Sequence, residues 1–280
     1  MASRKEAQKE ETALATVAPS QIVTTDYGDD AGQGYGGQTA LDTVPPWIYL
    51  SQSNSPQVTD SERAVPVRAG QWYLQIADTA WDLKTGFLFV PATTRHVYAE
   101  WTPRDEGGGY HGEHAINSKV VTDALAEMKR FGKLFVRATE YDKHDQPVEK
   151  THQLTETHYV YGVVVDEAGY VEGPGVLSFK STHIRPYRAW QSRIQRVRDA
   201  AGRRPPLFAH LTRFTSFKDK NDQGEFYVPV IEPARGDVLS SLLSPTDAAY
   251  QAAREYKTLV ESGAVKADFS KENRTDDVPF

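Results

Sequence analysis

The sequence predicts a mainly β (α+β) protein, an OB-fold-like Greek-key barrel with additional strands and helices. Three observations lead there. Short runs rich in aromatic and β-branched residues recur between Trp72 and Ile231, one of them with clear strand alternation. Turn-forming clusters such as Asp166-Glu167-Ala168-Gly169 and Asn221-Asp222-Gln223-Gly224 separate them. Helical spacing is confined to a few stretches, and the order of short strands, one helix, then more strands is that of a small Greek-key barrel.

Residues 1–44 read as a disordered N-terminal arm, rich in Ala, Thr, Gln and Gly, with a low-complexity patch at Gly28–Gly37. Pro45-Pro46 ends the arm, and dense apolar and aromatic residues begin at Trp47. Trp72–Ile76 and Gly86–Val90 follow as strands, the second after the turn Asp82-Leu83-Lys84-Thr85. Arg95–Trp101 alternates, with Val97, Ala99 and Trp101 on one face and His96, Tyr98 and Glu100 on the other. Pro103–Gly112, containing Gly107-Gly108-Gly109, reads as a loop. Asn117–Phe131 reads as a helix because Val120, Val121, Ala124, Leu125 and Met128 recur at helical spacing, between an N-cap at Asn117 or Ser118 and a stop at Gly132. Strands resume at Leu134–Ala138, Thr157–Val165 and Val176–Lys180. A basic helix at Tyr187–Ala200, strands at Leu207–Phe217 and Glu225–Ile231, and a last helix at Pro245–Ser262 complete the order. The organisation expected is an arm (1–44), a body (45–235), a C-terminal helix (236–263) and an acidic tail (264–280).

Composition limits the function classes. Hydrophobic residues make up 39% of the 280, enough for a packed core. With no cysteine, disulfides, thiolate metal sites and thiol nucleophiles are excluded. No apolar run is long enough for a signal peptide or a membrane span, so a soluble, cytoplasmic protein with no membrane partner is expected. Net charge is −6, yet Lys180–Lys220 holds eleven cations (Lys180, Arg185, Arg188, Arg193, Arg196, Arg198, Arg203, Arg204, Arg213, Lys218 and Lys220) against Asp199 and Asp219. A local field of that sign steers a polyanion even when the whole chain is acidic.

The chain ends Asp276-Asp277-Val278-Pro279-Phe280. A terminal Phe offers an apolar anchor and an α-carboxylate together, Pro279 limits the ordering entropy lost on docking, and the aspartates suit a basic rim. These residues resemble the C-terminal tip of bacterial single-stranded-DNA-binding proteins, although the stretch before them, Ala264–Thr275, is shorter than the linkers of those proteins. In the body, Trp47, Gly86-Phe87-Leu88-Phe89-Val90-Pro91, Glu100-Trp101-Thr102-Pro103-Arg104, and Lys180-Ser181-Thr182 ahead of Arg188-Ala189-Trp190 resemble a tailed-phage single-stranded-DNA-binding family. Together the resemblances imply DNA binding in replication, recombination or repair in an infected bacterial host. They also imply recruitment of host or phage enzymes through the tip, and homo-oligomerisation is open.

Binding a single strand without sequence preference needs cations along its backbone and aromatic faces for its bases. Aromatics beside cations are the candidates: Tyr98 near Arg95; Trp101 near Arg104 and Tyr110; Tyr187 among Arg185, Arg188 and Arg193, with Lys180 preceding them. Trp190 and Ile194, four apart, belong to the buried stripe of the basic helix. An enzyme is not expected. Glu106, His111, Glu113 and His114 could ligate metal as a nuclease would need, but their spacing in a Gly-rich loop fits no metal motif. No phosphate loop, nucleophile elbow, catalytic residue or cofactor follows from the sequence. A virion structural or adaptor protein is the alternative class.

Overall fold

The computed structural model describes residues 45–59, 66–75, 79–103, 106–127, 129–130, 133–141, 143–221 and 224–265. The N-terminal arm, Arg104 and the tip Asp276–Phe280 lie outside them.

Two long antiparallel strands form the spine: β4 (Phe87–Thr102) and β8 (Pro147–Val165), paired from Leu88↔Val165 to Trp101↔Gln153. Around them run β1 (Trp47–Leu50), β2 (Trp72–Leu74), β3 (Thr79–Trp81), β5 (Gly109–Ala115), β6 (Lys129–Arg130), β7 (Lys133–Tyr141), β9 (Val171–Lys180), β10 (Thr212–Asn221) and β11 (Gly224–Pro233). The main path is β11-β10-β4-β8-β9-β1-β2-β3. β10 pairs with β4 only at Phe87–Phe89, and β5 only at Val97–Thr102. On the other flank, β9 pairs with β8 from Thr157 onward, while β7 pairs with it up to Leu154. The sheet therefore forks along its spine. Its root is β10-β4-β8-β9, and its outer arm is β5-β4-β8-β7.

The expected mainly β architecture is present, as one mixed sheet: β1 runs parallel to β9 through Trp47↔Val176 and Ile48↔Leu177. The two runs expected at Gly86–Val90 and Arg95–Trp101 are one strand. Pro91 does not end it, because a bulge between Pro91 and Thr93 absorbs the missing donor where neither β10 nor β5 pairs with β4. The expected loop Pro103–Gly112 is corrected from Gly109 onward, where β5 begins.

Both faces of the root are covered, which is why all nine residues Thr157–Val165 are buried. On one face Phe89, Val160, Val164, Phe179 and Phe214 receive α3 (Ile184–Ile194) through Tyr187, Trp190 and Ile194. On the other, Val90, Tyr159, Tyr161 and Val163 receive α4 (Ala248–Glu261) through Ala249, Ala253 and Tyr256. The C-terminal helix thus shares the body's core. The described residues also hold the short α-helices α1 (Pro56–Thr59) and α2 (Lys119–Glu127), the latter seating Val121 and Ala124 on Leu134 and Leu154 of the arm. α3 ends at Ile194, short of the expected Ala200, and beyond it Asp199 accepts the amides of Ala201 and Arg203 and turns the chain.

The far end of the path curls back to β10 and β11 through side chains rather than a ladder. Trp72 Nε1 donates to Thr215 O at 3.0 Å, and the Gln52 amide brackets the Tyr227 backbone at 2.8 and 3.1 Å. Ser216 Oγ donates to Gly70 O. Among the described residues, no helix is long and apolar enough to cross a membrane.

Candidate functional site

On the α3 face, residues three and four apart point alike. Tyr187, Trp190 and Ile194 take the core, which turns Arg185, Arg188 and Arg193 to solvent. Arg188 lies 2.6 Å from Glu156 Oε1 on β8, and His96 Nε2 is 3.0 Å from the same oxygen. A cleft of ≈ 320 Å³ opens between α2 and the start of α3, lined by Tyr98, Leu125, Lys133, Leu154, Glu156 and Ile184 among others. Burial first, then the charge of Glu156, raises the Tyr98 phenol above its ordinary pKa, with Arg188 opposing, so Tyr98 is a neutral ring here.

Trp101 and its neighbours occupy the opposite face. Its ring meets Tyr110 of β5 at 5.1 Å and 60°, and Lys180 Nζ lies 5.5 Å from its centroid. Arg95 bonds Glu113 at 2.7 Å; burial works against its charge, but Glu113 and Tyr161 outweigh it and raise the pKa. The ten DNA-contact candidates therefore do not form one patch: Tyr98, Arg185, Arg188 and Arg193 share the α3 side, while Arg95, Trp101, Tyr110 and Lys180 lie across the sheet. Tyr187 is a core residue, 6% exposed, packed on Phe179 at 5.2 Å and Trp190 at 5.9 Å, so its ring is not offered to a base. Lys180 is likewise buried.

The basic segment also divides. Arg213 makes a bidentate pair with Glu167 at 2.8 and 2.9 Å, Lys218 pairs with Glu225, and Arg203 pairs with Asp199 at 3.1 Å. Arg185, Arg193, Arg196 and Arg204 have no ion pair among the described residues and are exposed.

The arm carries a polar row that sequence reasoning missed. His114 Nε2 lies 2.5 Å from Glu100 Oε2, and His152 Nδ1 lies 2.6 Å from Glu100 Oε1. His152 Nε2 in turn lies 2.9 Å from Glu140 Oε1, and the His152 ring stacks on His111 at 4.0 Å. Burial works to raise the Glu100 carboxyl, yet the hydrogen bonds from His114 and His152 hold it below its ordinary value. Nearer α3, His158 stacks on His96 at 3.9 Å, and burial, reinforced by His96, pushes its pKa down to about 4. The available signal was the period-two spacing of His96, Tyr98 and Glu100 against His152, Leu154, Glu156 and His158 on the strand that pairs with them.

Nothing matches the chain among curated proteins. Nothing matches it among solved structures either. A family model described as Pam3 phage gp34-like protein matches residues 9–266, which takes in both spine strands, the arm, α3 and α4. With most of its length inside that match, the chain belongs to the Pam3 phage gp34-like protein family.

Proposed function

We propose that this protein binds single-stranded DNA without marked sequence preference, in replication, recombination or repair, and recruits partner proteins through Asp276, Asp277, Val278, Pro279 and Phe280. The observation that carries the reading is α3. Its buried stripe fixes the helix on the sheet, Arg185, Arg188 and Arg193 stand outward, and a cleft at the start of the helix has the neutral ring of Tyr98 in its wall. Cations beside an accessible aromatic are what a sequence-tolerant single-strand site requires. Within this reading the curled sheet serves as an OB-like barrel. The lacing of Gln52 and Trp72 to β10 and β11 brings the two ends of the strand path together, as a barrel needs.

The test is fluorescence anisotropy of labelled poly-dT with the full-length protein at two salt concentrations, beside a duplex control and an Arg185→Ala/Arg193→Ala/Arg196→Ala variant. Single-strand binding weakened by salt, and poorer binding of duplex, is the expected result. Three lost phosphate contacts lower the slope of log K against log salt by about 2. Absence of binding at low salt overturns the reading and leaves the virion or adaptor class. Full binding by the triple variant moves the site away from α3.

A further inference from the structure

We propose that His111, Glu140 and His152 form a binding site for a divalent transition metal of the zinc class, on the outer arm of the sheet. The inference is independent of DNA binding. The three residues come from β5, β7 and β8; each offers one ligand atom within 4.8 Å of the others, and the Nε2 atoms of His111 and His152 both lie near Glu140 Oε1. Ligand atoms about 2.0–2.1 Å from a tetrahedral ion stand about 3.3–3.4 Å apart. The two distances to Glu140 Oε1, 2.9 Å from His152 and 3.6 Å from His111, bracket that separation.

His152 gives the strongest argument. Its side chain is 3% exposed, and both ring nitrogens face carboxylate oxygens, Nδ1 toward Glu100 and Nε2 toward Glu140. A neutral imidazole has one N–H, so it can donate to only one of them. With Nδ1–H donating to Glu100, Nε2 presents its lone pair toward Glu140 and His111. A carboxylate orienting a metal-ligating histidine through its far nitrogen is the usual support of such sites. Glu100 is itself held by His114 at 2.5 Å.

The site also has access and room to adjust. His111 lies at the exposed edge of β5, and Thr102 Oγ1, 2.6 Å from its Nε2, is the partner it would exchange for the ion. A turn of the His111 ring out of its stack on His152 brings the two lone pairs together. Three protein ligands leave a fourth position for water. The other such triad among the described residues, His96, Glu156 and His158, is less suited, because the Arg188 guanidinium already sits 2.6 Å from the same Glu156 oxygen. The carboxylates nearest His111 in the sequence are engaged elsewhere. Glu113 pairs with Arg95, and Glu106 with Lys150.

The experiment is calorimetric titration of tag-free, full-length protein with zinc chloride, with cobalt(II) absorption reporting the ligand field. One zinc per chain is expected, with at least a ten-fold loss of affinity in His111→Gln and Glu140→Gln. Glu100→Gln, a positioning change, lowers affinity about 10- to 100-fold, and His96→Gln leaves it unchanged. Circular dichroism confirms that each variant is folded, and because His111 and Glu140 are partly exposed they are the decisive pair. Failure of the wild type to bind one zinc, or unchanged affinity in both His111→Gln and Glu140→Gln, overturns the site.

Discussion

His210 shows how one buried side chain writes a pH dependence into the fold. It is 3% exposed, its Nδ1 has no hydrogen-bond partner among the described residues, and burial pushes its pKa from 6.5 down to about 4. Between those values the unfolded chain binds a proton that the folded chain refuses, so stability is full above pH 6.5 and falls as the pH drops toward 4. The loss reaches roughly 3 kcal/mol. His158, also pushed down to about 4, acts in the same direction. Urea unfolding at pH 7 and pH 4.5 should show the drop, and His210→Gln should flatten it; an equal drop in that variant assigns the effect elsewhere. Tyr187 carries a different lesson. A tyrosine among arginines reads as a stacking platform in the sequence, but the helix that carries the arginines needs its opposite stripe for the core, and Tyr187 falls on that stripe.

At the scale of elements, the spine is held by close approach at its bulge. A Cβ on Gly162 would stand 2.4 Å from Val90 O and 2.5 Å from the Phe89 ring, whereas one on Gly175 would meet chiefly the mobile end of Ile48. Gly162→Ala is expected to cost about 1–3 kcal/mol and Gly175→Ala less, as read by chemical denaturation; the reverse order would mean that the bulge yields. Trp190 is 2% exposed and anchors α3, so Trp190→Ala is expected to cost about 3–5 kcal/mol and to weaken poly-dT binding with it. α3 and α4 were legible because their apolar residues repeat at helical spacing. β5 was not, because Gly107-Gly108-Gly109 and a polar Tyr-His-Gly-Glu-His run carry no apolar alternation. β4 was read as two strands because Pro91 is a stop unless the strand itself bulges, as β4 does with the extra residue Ala92. The period of Arg95–Trp101 already set Tyr98 and Trp101 on opposite faces, but which partner strand would fill each face is a long-range fact. For the same reason the histidine–glutamate row became visible only once β5, β7 and β8 were side by side.

The whole molecule is acidic, with a net charge of −6, while exposed arginines gather on and after α3. If the acidic tail competes with phosphate for those arginines, deleting Asp276–Phe280 raises poly-dT affinity, most strongly at low salt. Anisotropy with the truncated chain measures this, and equal or weaker binding refutes the competition while leaving partner docking intact. The parallel seam between β1 and β9 has a consequence for how the chain is made. β1 is synthesised first, yet its partners Val176 and Leu177 emerge far later, and at ~5–20 residues per second the wait is about 6–26 s. Throughout that interval Trp47, Ile48, Tyr49 and Leu50, all buried in the finished sheet, have one flank of their backbone and much of their apolar surface uncovered on the ribosome. The nascent chain therefore holds an apolar strand without its β9 partner until Val176 and Leu177 emerge.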